Sequence, residues 1–154
     1  MKKLLYVLFF AFVAIGCGDR IHNEHQDVTE PLTMKKDEVH TYKPTIADNA
    51  INYNVIIALR HHSEITKSEI KVALEMTSPS GKVTKTSHTL PLRDASGKLL
   101  GEVAVHICDT ETIIMKDYTF PENGEYTVKI SPITDEDING MMEIGLVIEK
   151  PKAE

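Results

Sequence analysis

The feature that most constrains this chain is a period-two alternation of apolar and polar side chains that restarts again and again along the sequence. Tyr53, Val55, Ile57 and Leu59 alternate with Asn54, Ile56, Ala58 and Arg60. Ile70, Val72, Leu74 and Met76 alternate with Lys71, Ala73, Glu75 and Thr77. Successive side chains of a strand point to opposite faces, so each run gathers its apolar set on one face. Turn-forming clusters separate the runs: Ser78-Pro79-Ser80-Gly81, Asp94-Ala95-Ser96-Gly97 and Glu122-Asn123-Gly124. Further strands are predicted over 82–92, around Val103, Val105 and Ile107, and around Ile113 and Met115 on towards Phe120. Two more run through Tyr126, Val128 and Ile130, and through Met142, Ile144, Leu146 and Ile148. Many short strands joined by turns predict an all-β fold, a single β-sandwich of jelly-roll or Ig-like type. A short helix is predicted only over 135–139, with Thr134 to cap it and Gly140 to stop it.

The N-terminus follows a different rule. Lys2 and Lys3 precede an unbroken apolar run from Leu4 to Ile15. The run is shorter than the roughly 17–25 residues that cross a bilayer as a helix. A basic start, a short apolar core and small residues at its end read as a secretory signal. Ala14-Ile15-Gly16-Cys17 is similar to a bacterial lipobox, which implies acylation of Cys17 and cleavage before it. Several acyl chains on one residue anchor far more firmly than a single chain does. The expected boundaries are a signal peptide over 1–16, a lipid anchor and tether over 17–39, a β-sandwich over 40–150 and a tail over 151–154. The tether is expected because 18–39 is polar and without period; an edge strand near His40 to Lys43 would end it.

Charge and cysteine content narrow the function. The net charge is −6, and loss of the two leader lysines takes the mature chain to −8. A nucleic-acid partner is therefore not expected. With Cys17 consumed by lipid, Cys108 is the one remaining thiol, so an intramolecular disulfide is excluded.

His106 and Cys108, two apart in a strand, would share a face and could form a metal or thiolate pair. No second Cys or orienting acid completes it, because Asp109 faces the other way. His22 and His25 would share a face on a helix, and His61 and His62 would point oppositely on a strand. Neither pair has the further ligands that a closed zinc site needs. Asp135, Glu136 and Asp137 lack the spacing of a calcium loop. No Gly-x-Ser-x-Gly elbow and no phosphate-binding glycine loop occur. No catalytic, cofactor-binding or metal-binding residue is assigned; Cys17 alone is assigned, as the lipidation site. Aromatic residues make up 6% of the chain and Trp is absent, which disfavours a sugar-stacking platform.

The order of motifs carries a resemblance. After the lipobox come Asp48, then Tyr53-Asn54-Val55 in a strand that ends Leu59-Arg60. Ser96-Gly97-Lys98-Leu99-Leu100-Gly101, Phe120-Pro121-Glu122-Asn123-Gly124-Glu125-Tyr126 and a closing run from Gly140 to Glu149 follow. Together these resemble the gliding-motility lipoprotein GldH family of Bacteroidota over nearly the whole chain. Leu99 stands where the family carries an aromatic, so the chain is similar to a divergent member. The resemblance implies a non-enzymatic, lipid-anchored component of an envelope complex, in gliding or the associated secretion machinery. It implies other envelope proteins as partners, beside the membrane reached through Cys17. Gly18-Asp19-Arg20 lacks the acidic run of surface-export signals, so a periplasm-facing outer-membrane location is expected. The rival expectation is a lipid-anchored module that binds glycans or peptides.

Overall fold

In the computed structural model, residues 19–151 are described. Thirteen strands occur in chain order: β1 (Arg20–Asp27), β2 (Thr33–Met34), β3 (His40–Tyr42), β4 (Thr45–Ile46), β5 (Tyr53–His62), β6 (Glu69–Thr77), β7 (Val83–Pro91), β8 (Glu102–Ala104), β9 (Ile107–Tyr118), β10 (Gly124–Glu125), β11 (Thr127–Pro132), β12 (Ile138–Asn139) and β13 (Met141–Glu149). One sheet has the order β1-β13-β5-β9-β8 and the facing sheet β3-β11-β6-β7. Every pairing is antiparallel. With the short β2, β4, β8, β10 and β12 set aside, the strand order is that of a jelly roll. The Ig-like alternative is thereby excluded.

The alternation explains the core. Val55, Ile57 and Leu59 of β5 face Ile70, Val72 and Leu74 of β6, with Ile144, Leu146 and Ile148 of β13 beside them, all buried. Each such side chain contributes about 1.5–3 kcal/mol when fully buried. Phe120 lies edge-on to Tyr118, Tyr126 and Tyr53, at ring-centre distances of 4.9, 5.1 and 5.7 Å. This cluster supplies the bulk that a Trp would otherwise give. The Tyr42 hydroxyl on β3 donates to the Ile144 carbonyl on β13 at 2.8 Å, a bond between the two sheets. β5 and β13 read as nearly continuous apolar runs because they are central strands, covered on both faces. Ile56, Ala58 and Val147 form a second small cluster on the outer face.

Two sequence expectations are corrected here. The polar segment expected as a tether over 17–39 is part of the domain from residue 20 onward. β1 pairs with β13 from Arg20↔Glu149 to Asp27↔Glu143. Its polarity misleads because it is an edge strand, where polar and charged side chains guard against aggregation. Its half-buried residues are held by polar contacts, as when the Gln26 amide donates to the Thr41 carbonyl at 2.9 Å. The expected edge strand near His40 is present as β3. The helix expected over 135–139 does not form. Glu136 N–H donates to Thr134 Oγ1 at 3.3 Å in a bend, and Ile138–Asn139 then pair with Thr33–Met34.

The strand directions give the sandwich two distinct ends. The near end holds the start of β1, the end of β13, and the turns over 43–52, 78–82 and 119–126. The far end holds the loops over 28–39, 63–68, 92–101 and 133–140, and the β8–β9 hairpin tip.

Candidate functional site

Val105 and His106 form a two-residue turn between β8 and β9. Val105 sits at φ +57° and is 87% exposed. A β-branched residue in the left-handed region is a true outlier, and turns here favour Gly or Asn. Val103 and Ile107 flank the turn and are also exposed. The strand expected through these three residues with a buried apolar face is therefore broken by a reversal, and its apolar set faces solvent. Elsewhere at the far end Leu32 is exposed at φ +59°, and Ile133 is exposed in the loop over 133–140.

Backbone hydrogen bonds join these loops. Gly140 N–H donates to the Leu32 carbonyl at 2.7 Å, and His62 N–H donates to the Gly140 carbonyl at 2.7 Å. Ser63 N–H donates to the His106 carbonyl at 2.8 Å. A cavity of about 420 Å³ opens between them, lined by Leu32, His62, Ile65 and Gly140 among others. Gly140 has φ +93°, and a Cβ there would crowd Ile65 at 3.2 Å.

His106 and Cys108, expected on one face of a strand, do not share one. His106 lies in the exposed turn and stacks on His62, with ring centres 5.6 Å apart and planes 5° from parallel. Cys108, in β9, is buried and its thiol donates to the Leu100 carbonyl at 3.0 Å. Burial pushes the thiol above its usual range, the opposite of an activated thiolate. Its cross-strand neighbour is His61, not His106. His61 and His62 do point oppositely: His61 is buried and His62 half-buried. His61 Nδ1 donates to the His62 carbonyl at 3.0 Å, and burial lowers its basicity. His22 and His25 lie on a strand, so their odd spacing puts them on opposite faces. His22 meets the Tyr42 ring edge-on, while His25 covers Gly145 on the outer face.

Charged residues clamp the far end. Glu38 is nearly fully buried and accepts from Thr29 N–H at 2.7 Å and Lys35 N–H at 3.0 Å. His40 stands 3.0 Å from the same carboxylate without hydrogen-bond alignment, and burial lowers its basicity. Asp137 accepts from Lys36 N–H at 2.9 Å and Lys35 Nζ at 3.1 Å, and Glu136 pairs with Lys67. The acidic run over 135–137 thus fastens one far-end loop to others. Arg60 holds Asp109 through two bonds of 2.8 and 3.0 Å and Glu143 through one of 2.9 Å. It ties β9, β5 and β13 across the outer face, and holds the Asp109 carboxyl below its usual range.

Sequence reasoning missed Leu32 and Val105 as surface features. Their apolar character was legible; the left-handed backbone that turns them outward was not. Cys17 lies outside the described residues.

Two solved structures share a low overall similarity. TmCBM61, solved in complex with β-1,4-galactotriose, is 11% identical over 79% of this chain and 69% of its own, at a TM-score of 0.25. The Yersinia pseudotuberculosis-derived mitogen is 12% identical over 77% of this chain and 90% of its own, at 0.26. Likenesses of that size carry no weight for fold or ligand. A protein of Christiangramia forsetii named as a gliding motility lipoprotein GldH homolog is 22% identical over 97% of this chain and 98% of its own length. The family model for GldH lipoprotein matches residues 20–148, from the first strand to the last. The chain belongs to the GldH lipoprotein family, a divergent member of it.

Proposed function

We propose that this chain is a non-enzymatic assembly component of an envelope complex, in gliding motility or the associated secretion machinery. Residues 1–16 are its cleaved signal, and Cys17 carries the lipid that holds it in the outer membrane, facing the periplasm. Membership of a lipoprotein family supports the anchored state. The assembly role rests on one observation: Leu32, Val103, Val105, Ile107 and Ile133 are each exposed in the loops and hairpin of the far end of the sandwich. Apolar side chains gathered at one end of a domain mark a protein interface. A sugar-stacking module is not favoured, because Tyr42, Tyr53, Phe120 and Tyr126 are buried in the core.

The test is a chromosomal Val103→Asp/Val105→Asp variant. It should fold, fractionate with membranes and yet lose colony spreading, or secretion in a strain that does not glide. Normal spreading and secretion would remove the assembly reading. Separately, Cys17→Ala should abolish fatty-acid labelling and release the protein from the membrane fraction; persistent labelling would remove the lipidation reading.

A further inference from the structure

We propose that the near end of the sandwich is a membrane-seating surface. The lipid on Cys17 draws it against the phospholipid headgroup layer, and the far end is held away from the bilayer. The proposal rests on the lipidation reading above and adds an orientation to it.

The first support is the length of chain available. Gly18 alone separates Cys17 from Asp19. The Asp19 carbonyl accepts from Lys150 N–H at 2.7 Å. Arg20 is registered against Glu149, and its guanidinium reaches Glu111 at 2.8 Å and Glu149 at 3.3 Å. From Cys17 to Asp19 a fully extended chain spans only about 7 Å. A domain fastened that closely has no linker on which to swing. A flexible link of roughly ten residues would instead give about 17 Å of reach.

The second support is the make-up of the two ends. The near-end turns are polar and bonded to each other. Asn49 N–H donates to Asn123 Oδ1 at 2.6 Å, and Asn49 Nδ2 donates to the Pro121 carbonyl at 3.1 Å. The Ser78 and Ser80 hydroxyls both donate to Glu122, at 2.7 and 2.6 Å. Lys43, Lys82 and Lys150 are interleaved there with Asp48, Glu122 and Glu125. Such a surface rests beside headgroups without inserting and without strong repulsion. The far end exposes Asp27, Glu64, Glu102 and Asp135 beside Lys36 and Lys98, an acidic surplus that an anionic bilayer repels within a Debye length of about 8 Å. Ten-residue β5 spans the sandwich, so the far end stands about 30 Å out.

The experiment uses the full lipidated protein in vesicles of phosphatidylethanolamine and phosphatidylglycerol that carry a headgroup quencher. Single cysteines at Ala50→Cys and Lys82→Cys report the near end. Val105→Cys and Asp135→Cys report the far end, and all four sites are exposed. Buried Cys108 stays unlabelled, as the parent protein will show. The near-end fluorophores should be quenched at least threefold more than the far-end ones. Ten Gly/Ser residues inserted after Gly18 should erase that contrast while the protein still floats with the vesicles. Equal quenching in the parent, stronger far-end quenching, or a contrast that survives the insertion would overturn the proposal. Flotation of the Cys17→Ala protein would instead overturn the lipidation reading, so the two failures are distinguishable.

Discussion

The near and far ends of this sandwich are built from the same strands but differ in kind. The near end closes over the Phe120 aromatic cluster, and its turns bond to one another through Asn49, Asn123, Glu122 and two serines. Among the large exposed hydrophobic residues it contributes Val83. The far end exposes Leu32, Val103, Val105, Ile107 and Ile133, and sets Leu32 and Val105 in left-handed backbone. Folding alone explains the first arrangement and is opposed by the second. Exposed apolar residues in strained turns lower stability, so their presence points to a use outside the chain's own fold.

That contrast can be broken by mutation. The largest effect is expected at the near end: Phe120→Ala should cost about 3–5 kcal/mol, read as a shift of the urea midpoint. A loss under 1 kcal/mol would show that the aromatic cluster is not the keystone of that end. At the far end the buried clamp should matter next. Glu38→Ala leaves the Thr29 and Lys35 amides without their acceptor and should cost about 2 kcal/mol. Hydrogen exchange should then quicken over 28–39 before it does elsewhere; uniform quickening would mean the loop is not a separate unit.

A third prediction concerns pH. Burial lowers the basicity of His22, His40, His61 and His88 below the ordinary value of 6.5. The unfolded chain therefore binds more protons than the folded one just below that value. Stability contributed by these neutral imidazoles is full above pH 6.5 and is lost as pH falls towards their folded values. Urea midpoints at pH 7.5 and 5.5 should fall in that order, and His61→Gln should reduce the difference. A midpoint that is flat or rises on acidification would contradict the burial of these rings. The smallest effect belongs to the hairpin tip. Val105→Gly should change stability by less than about 1 kcal/mol, towards neutral or stabilising, because Gly accepts the left-handed turn. The same change should lower spreading or secretion; a large loss of stability would make Val105 a folding residue after all.

How much of this was legible depended on where a residue sits in the sheets. The central strands β5, β6 and β13 were plain from alternation, because burial of one face demands it. The jelly-roll order was not, since pairing between β1 and β13 joins residues more than a hundred positions apart. β1 is hidden for a physical reason: an edge strand needs few apolar side chains, and Ile21 is the only one it has. The Val103–Ile107 segment misled in the other direction. Its alternation is that of a buried strand, yet Val105 occupies a reversal that no Gly, Asn or Pro announces. His106 and Cys108 were consequently placed on one face, although one reaches solvent and the other the core. The role of the acidic run over 135–137 as a fastener depends on distant Lys35, Lys36 and Lys67 and is invisible in local sequence.

The pairing of β1 with β13 has a mechanical consequence. Seven registered pairs join the two strands from Arg20 to Asp27. A pull applied at the start of β1, resisted at the far end, would run along the strand. The ladder would then be loaded in shear, with its hydrogen bonds sharing the force, where a perpendicular pull would unzip them one at a time. The segment that reads as a slack tether is placed to carry tension along the length of the sandwich.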